Sequence, residues 1–235
     1  MGVAIGFATQ LRGLSEAESF IPDDHPLGVA GSWMTEEFRQ TAADDTVVVT
    51  FTWGVSGINR DGINRYKPQE KGTPIFDAAF DPSSPQAQQD VLVTCDAART
   101  VNEYKSEQSC WMRGFMDWRV DQSMAFPAVA PTGQDQSDYF VSEVQRYCLE
   151  PIAARSCSNG EVGVVQGEGV RMMQVKFVLS LVPNEPYSIT NPVYESWQEF
   201  VESRNAASSP GVNNAIQTAG RAWQGMITER ELLSS

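Results

Sequence analysis

From Thr46 to Gly54 the chain reads TVVVTFTWG, a β-branched and aromatic run closed by glycine, which predicts a buried strand leaving for the surface. The residues after it are heavy in Gly, Asn, Asp and Arg and predict a crossover loop. Asp81-Pro82-Ser83-Ser84-Pro85 announces a helix, because a serine hydroxyl can accept from an orphan amide of the first turn and Pro85 has no amide hydrogen to lose there. Gln86, three residues after Ser83, allows a capping box. Val91, Leu92, Cys95 and Ala98 then form one apolar stripe able to lie back on the strand. Two further helical stripes follow, Trp111, Phe115 and Trp118, then Phe140, Val144 and Cys148, and both read as core. The Pro, Gly and Asp rich stretch AFPAVAPTGQDQSD joins them.

Beyond Gly160 the period becomes two. Glu161 to Gln166 and Val170 to Val182 predict antiparallel strands turning at Gly167-Glu168-Gly169. In the second strand Met173, Val175, Phe177 and Leu179 make one apolar face, opposite Met172, Gln174, Lys176 and Val178. After Asn191-Pro192, the spacing of Tyr194, Trp197, Phe200 and Val201 predicts another amphipathic helix. A break at Ser208-Ser209-Pro210-Gly211 and a mixed segment with one possible last strand complete the chain. Strand, helix, two strands, helix and strand is the order of an α+β, ferredoxin-like split βαβ sandwich, with residues 104–160 as a helical insertion.

Composition narrows the partners. At 235 residues and 41% apolar content the chain can bury roughly 70 to 75% of its unfolded surface. Its formal charge of −13 argues against nucleic acid or anionic lipid, which would be repelled in the absence of a local basic patch. Val47 to Trp53, the longest apolar run, is too short to span a bilayer. Met1 to Ala8 lack the positive start and long apolar centre of a signal peptide. The four cysteines, Cys95, Cys110, Cys148 and Cys157, form no CxxC pair, and with a single histidine a zinc site is not expected. Their even number fits two disulfides with three possible connectivities, or four free thiols in a reducing compartment.

Several stretches together carry a family resemblance. They are Trp53-Gly54-Val55, Phe76-Asp77 and Phe80-Asp81, Ser83-Ser84 before Ala87-Gln88, Cys95, and Cys110-Trp111-Met112 with Phe115. In that order they resemble the first extracellular domain of Dispatched-type proteins, within the Patched and resistance-nodulation-division superfamily of membrane transporters. Glu18 to Leu27 is similar to the segment after that superfamily's first transmembrane helix, and Trp223 to Leu233 to the approach to its second. Met1 to Ala8 would then be the tail of a membrane helix. The resemblance implies a porter-type fold, an extracellular or lumenal address, and a role in export of a lipid or lipid-modified cargo. It further implies as partners the rest of the transporter, with a second extracellular domain. The ionisable groups that couple ions to transport would belong to transmembrane helices. Exposed apolar loop residues are the candidates for partner or substrate contact, and Trp53, Ile58 and Ile63 are nominated.

No catalytic set and no cofactor motif accompanies these features. His25 lies in the loop Pro22-Asp23-Asp24-His25-Pro26 without a nucleophile context. Asp77 and Asp81 could be read as a glycosidase carboxylate pair, but Asp81 is better explained by the helix start beside it. Asn59 to Asn64 has oxygen ligands and a glycine, yet lacks the closing glutamate of a calcium loop. Gly167-Glu168-Gly169 lacks the strand-to-helix context of a phosphate cradle. The alternatives to a transporter lobe are a free-standing secreted binding module stapled by disulfides and a secreted hydrolase using paired carboxylates.

Overall fold

The computed structural model describes residues 46–64, 67, 71–151, 157–165, 169–183 and 185–234. His25, Asp23, Asp24, the Glu18 to Leu27 segment and the Gly167-Glu168 turn lie outside them. The described chain is a mixed α/β structure. Its strands are β1 (Val48–Trp53), β2 (Val55–Asn59), β3 (Thr73–Phe76), β4 (Tyr104–Cys110), β5 (Val162–Val165), β6 (Gly169–Leu179) and β7 (Ile216–Thr218). Five α-helices are described: α1 (Pro85–Ala97), α2 (Trp111–Asp121), α3 (Gln136–Leu149), α4 (Tyr187–Ala207) and α5 (Arg221–Ser234).

β6 is the spine of the main sheet. The strand order is β4-β6-β1-β7, every pair antiparallel, and β5 pairs with the start of β6 on the edge that β4 uses further along. The register Val49↔Phe177, Phe51↔Val175 and Trp53↔Met173 puts the alternating apolar residues of β1 and β6 on one face. All six are buried, as are Val91 and Cys95 of α1 and Trp197 and Val201 of α4. Phe51 meets the rings of Phe177, Trp197 and Phe200 at 5.5, 5.8 and 5.7 Å. The first two are edge-on, an arrangement that adds about 0.5 to 1.5 kcal/mol per pair to area burial. Arg204 Nε of α4 donates to Thr94 Oγ1 of α1 at 3.3 Å, tying the two helices together.

Local chemistry differs from the sequence expectations at four places. Ser84, not Ser83, is the N-cap of α1: its hydroxyl accepts from Ala87 N at 3.1 Å, and Gln86 turns outward to donate to Asp90 instead of closing a capping box. Helix α4 begins one turn before Asn191-Pro192, with Pro192 inside it; the Glu229 carboxylate of α5 accepts from Tyr187 N at 2.8 Å and supports the earlier start. Residues 104–110, the head of the segment expected as a helical insertion, form β4, because the helical period of that segment starts only at Trp111. β4 pairs with β6 in addition to the expected pairing of β5 with β6, and its polar run YKSEQSC fits an exposed edge strand. The expected crossover loop after Gly54 contains the two-stranded ribbon β2–β3.

The cysteines choose one of the open connectivities, Cys95–Cys110 and Cys148–Cys157. The first joins α1 to the end of β4 across 15 residues, a closure that contributes about 3 kcal/mol in the chain-entropy account. Beside it Arg113 bridges Asp96 of α1 at 2.9 Å and Glu107 of β4 at 3.2 Å. Two polar networks fasten α2 and α3. Gln88, fully buried in α1, donates to the carbonyls of Ser83 and Ala128 and accepts from Ala128 N, while Gln136 of α3 donates to the same two carbonyls. Deeper in, Arg119 of α2 donates to Glu143 of α3, which also accepts from Arg146. Arg119 completes its shell with the Ala125 carbonyl at 2.8 Å and the rings of Phe115 and Tyr139, each 5.8 Å away.

Candidate functional site

The β2–β3 ribbon stands outside the main sheet and carries three of the exposed large apolar side chains among the described residues. Gly54 makes the exit from β1 possible: its φ of +81° is a left-handed conformation that other residues enter at a cost of roughly 1 to 2 kcal/mol. Its carbonyl accepts from Asp77 N at 2.9 Å, pinning the two ends of the ribbon together. Ser56 Oγ adds a bond to the Ile75 carbonyl at 3.1 Å. The pairing Val55↔Phe76 and Ile58↔Pro74 sets Ile58, Pro74 and Phe76 on one face, with Ile75 opposite Gly57 on the other. Ile58, Ile75 and Phe76 are 51, 48 and 37% exposed. Gly72 brings Ile63 into the same strip, since a Cβ there would fall 2.6 Å from Ile58 Cγ2 and 3.2 Å from Ile63 Cδ1.

Of the three nominated contact residues, the structure joins Ile58 and Ile63 and removes Trp53. Trp53 is 3% exposed, and its indole Nε1 donates to the Val212 carbonyl at 3.0 Å, because as the last residue of β1 it still points into the core. Ile75 and Phe76 were missed by sequence reasoning. The signal was the extended Thr73-Pro74-Ile75-Phe76 run after Gly72, too short to be told from loop by periodicity.

The acidic residues at the ribbon's base serve geometry. Asp77 Oδ1 accepts from Ala79 N at 2.9 Å and Oδ2 from Asn214 Nδ2 at 2.9 Å, and Asp81 Oδ1 accepts from Ser83 N at 2.9 Å. Each closes a turn with its own backbone. The Asn214 amide, and after it the Ala79 N–H, hold the Asp77 carboxyl below the usual carboxylate range. A depressed folded-state pKa means a contribution present above the ordinary value near 4 and lost as pH falls through the lower, folded one. Asp77→Asn is therefore expected to lose under about 1 kcal/mol at pH 7, small because solvent screens the site, and the gap from the parent should close during acid titration of the unfolding midpoint. Just after β2, Asn59 Oδ1 accepts from Asp61 N at 2.8 Å and Ile63 N donates to the Arg60 carbonyl at 3.2 Å, the turn geometry of an Asx loop. Among the described residues no group of three or more His, Cys, Asp or Glu converges as a metal site, and no helix is long and apolar enough to cross a membrane.

A small polar cleft of about 170 Å³ lies where α1 and α3 begin, lined by Asp81, Ser83, Ser137 and Arg171 among others.

No protein-family model matches the chain. In sequence it is similar to Protein dispatched homolog 2 of Mus musculus, 23% identical over 180 residues, which is 73% of this chain and 13% of that protein. It is also similar to Protein dispatched homolog 1 of Homo sapiens, 28% identical over 107 residues, 43% of this chain and 7% of that protein. The chain thus spans a small fraction of the curated relatives it matches. In fold it is similar to the cryo-EM structure of the hedgehog release protein Disp from the water bear Hypsibius dujardini, with a TM-score of 0.58 and 13% identity over 99% of this chain and 27% of that one. Similarity in sequence and similarity in fold converge on Dispatched proteins, and it is a domain of these that the chain resembles.

Proposed function

We propose that this chain is an extracellular domain of a Dispatched- or Patched-like transporter of the resistance-nodulation-division superfamily, acting in export or release of a lipid or lipid-modified cargo. The observation that carries the reading is the fold similarity of nearly the whole chain to about a quarter of Disp, joined to sequence similarity with two Dispatched homologs. The domain itself is read as non-catalytic: the Asp77 and Asp81 carboxylates are engaged in backbone turns. An extracellular or lumenal address is supported by the two disulfides, which persist in oxidising compartments. The strand order β4-β6-β1-β7 with α1 and α4 as crossovers supports a ferredoxin-like, porter-type sandwich, in which α2, α3 and β5 make a disulfide-stapled insertion between its second and third strands. In this role the lobe shapes a substrate path and shifts against a second extracellular lobe, while ion coupling resides in transmembrane helices.

The test is to sequence the parent transcript on both sides of this segment. Apolar runs of about 20 residues flanking both ends are expected. Stop codons or polar sequence at both ends would overturn the transporter reading in favour of a free-standing secreted module.

A further inference from the structure

The ribbon is charged against the rest of the molecule. Between Arg60 and Lys71 the sequence holds four cationic and two acidic residues, in a chain whose formal charge is −13. Arg60 and Lys71 are exposed at the distal end of β2 and before β3, so they flank the strip of Ile58, Ile63, Pro74 and Phe76. β2 and β3 pack chiefly on each other, and a lone two-stranded ribbon is marginal in water until a further strand or surface covers it. An apolar strip with a cationic rim calls for a partner with an apolar centre and an acidic rim.

We propose that the β2–β3 ribbon is a docking strip for an acidic protein surface, with Ile58 and Phe76 as its apolar anchors and Arg60 and Lys71 as its charge selectors. A protein surface fits better than a bilayer for two reasons. The apolar side chains lie along the paired strands, so the ribbon offers a flank rather than an apolar end. An anionic bilayer would also repel the remaining lobe, whereas a local contact within the roughly 8 Å Debye length is dominated by the ribbon's own charges. The inference does not depend on which cargo the parent protein handles.

The experiment places a photoreactive amino acid at position 58 of the full-length parent protein, with position 93 on the exposed face of α1 as the control, and maps the cross-linked peptides by mass spectrometry. Val93 is 47% exposed, so the two positions are comparably accessible. The expected product at 58 is a peptide rich in Asp and Glu, absent at 93, whose yield falls about fivefold in the Arg60→Glu, Lys71→Glu double variant and on raising salt. Both charges are exposed, and Arg60→Gln, Lys71→Gln gives a milder change of the same sign should the reversal disturb folding. Adducts to phospholipid alone, a peptide without acidic residues, or a yield indifferent to both charge variants would overturn the proposal. Failure of the transporter reading is told apart from these, because it is read from the flanking sequence and not from the cross-link.

Discussion

Replacing Glu143 with alanine is expected to lower the free energy of unfolding by about 3 to 5 kcal/mol, since it leaves a buried guanidinium without its counter-charge. Arg119 and Glu143 each have side chains only 4% exposed, so water cannot replace the lost partner. For a chain of this size, that loss corresponds to a fall of roughly 10 °C in melting temperature. Arg146 bonds the same carboxylate from the surface, where its side chain is 57% exposed; Arg146→Ala should cost no more than about 1 kcal/mol. The contrast between the two variants in urea unfolding checks the argument. Equal effects would mean that the pair is hydrated, and a paired Arg119→Met, Glu143→Leu variant should regain most of the loss by exchanging ions for apolar volume. The site matters because it locks α2 to α3, and with them the segment that Gln88 ties to α1.

Legibility in the sequence followed the periodicity of burial. β1, β6, α1 and the aromatic stripes of α2, α3 and α4 bury one face each, so Phe51, Val91, Phe115, Phe140, Phe177 and Trp197 could be named as core from spacing alone. β4 could not, because an edge strand with residues such as Lys105, Ser106 and Gln108 exposed has no apolar face to declare it. β3 is four residues long, all exposed, and owes its strand conformation to pairing with β2 rather than to its own pattern. The candidate contact surface was half readable for the same reason: Ile58 and Ile63 stood out as apolar residues in a polar loop, whereas the exposure of Ile75 and Phe76 and the burial of Trp53 depend on where the ribbon leaves the sheet. The basic rim was present in the composition but masked by a net charge of the opposite sign.

Gly54→Ala is expected to be among the most damaging single substitutions in the chain, at about 4 kcal/mol or more, because it combines two of the mechanisms that produce large losses. The φ of +81° is disfavoured for any side chain, and the added Cβ would fall 2.2 Å from the Arg171 carbonyl oxygen and 2.8 Å from Phe80 Cδ1. A backbone oxygen in β6 cannot swing aside as a flexible side chain would, so the β1–β6 pairing must open at the Trp53↔Met173 end. Gly62→Ala is the control. Its φ of +74° is similar, but nothing lies within 4 Å of a Cβ there, so only the conformational cost of about 1 kcal/mol applies. Thermal unfolding of the two variants separates strain from collision, and amide exchange at Asp77 locates the damage. Asp77 N donates to the Gly54 carbonyl, so its protection should fall first in Gly54→Ala and stay near that of the parent in Gly62→Ala. Loss of that protection would free the ribbon from the sheet, and with it the fixed position that any docking through Ile58 and Phe76 requires.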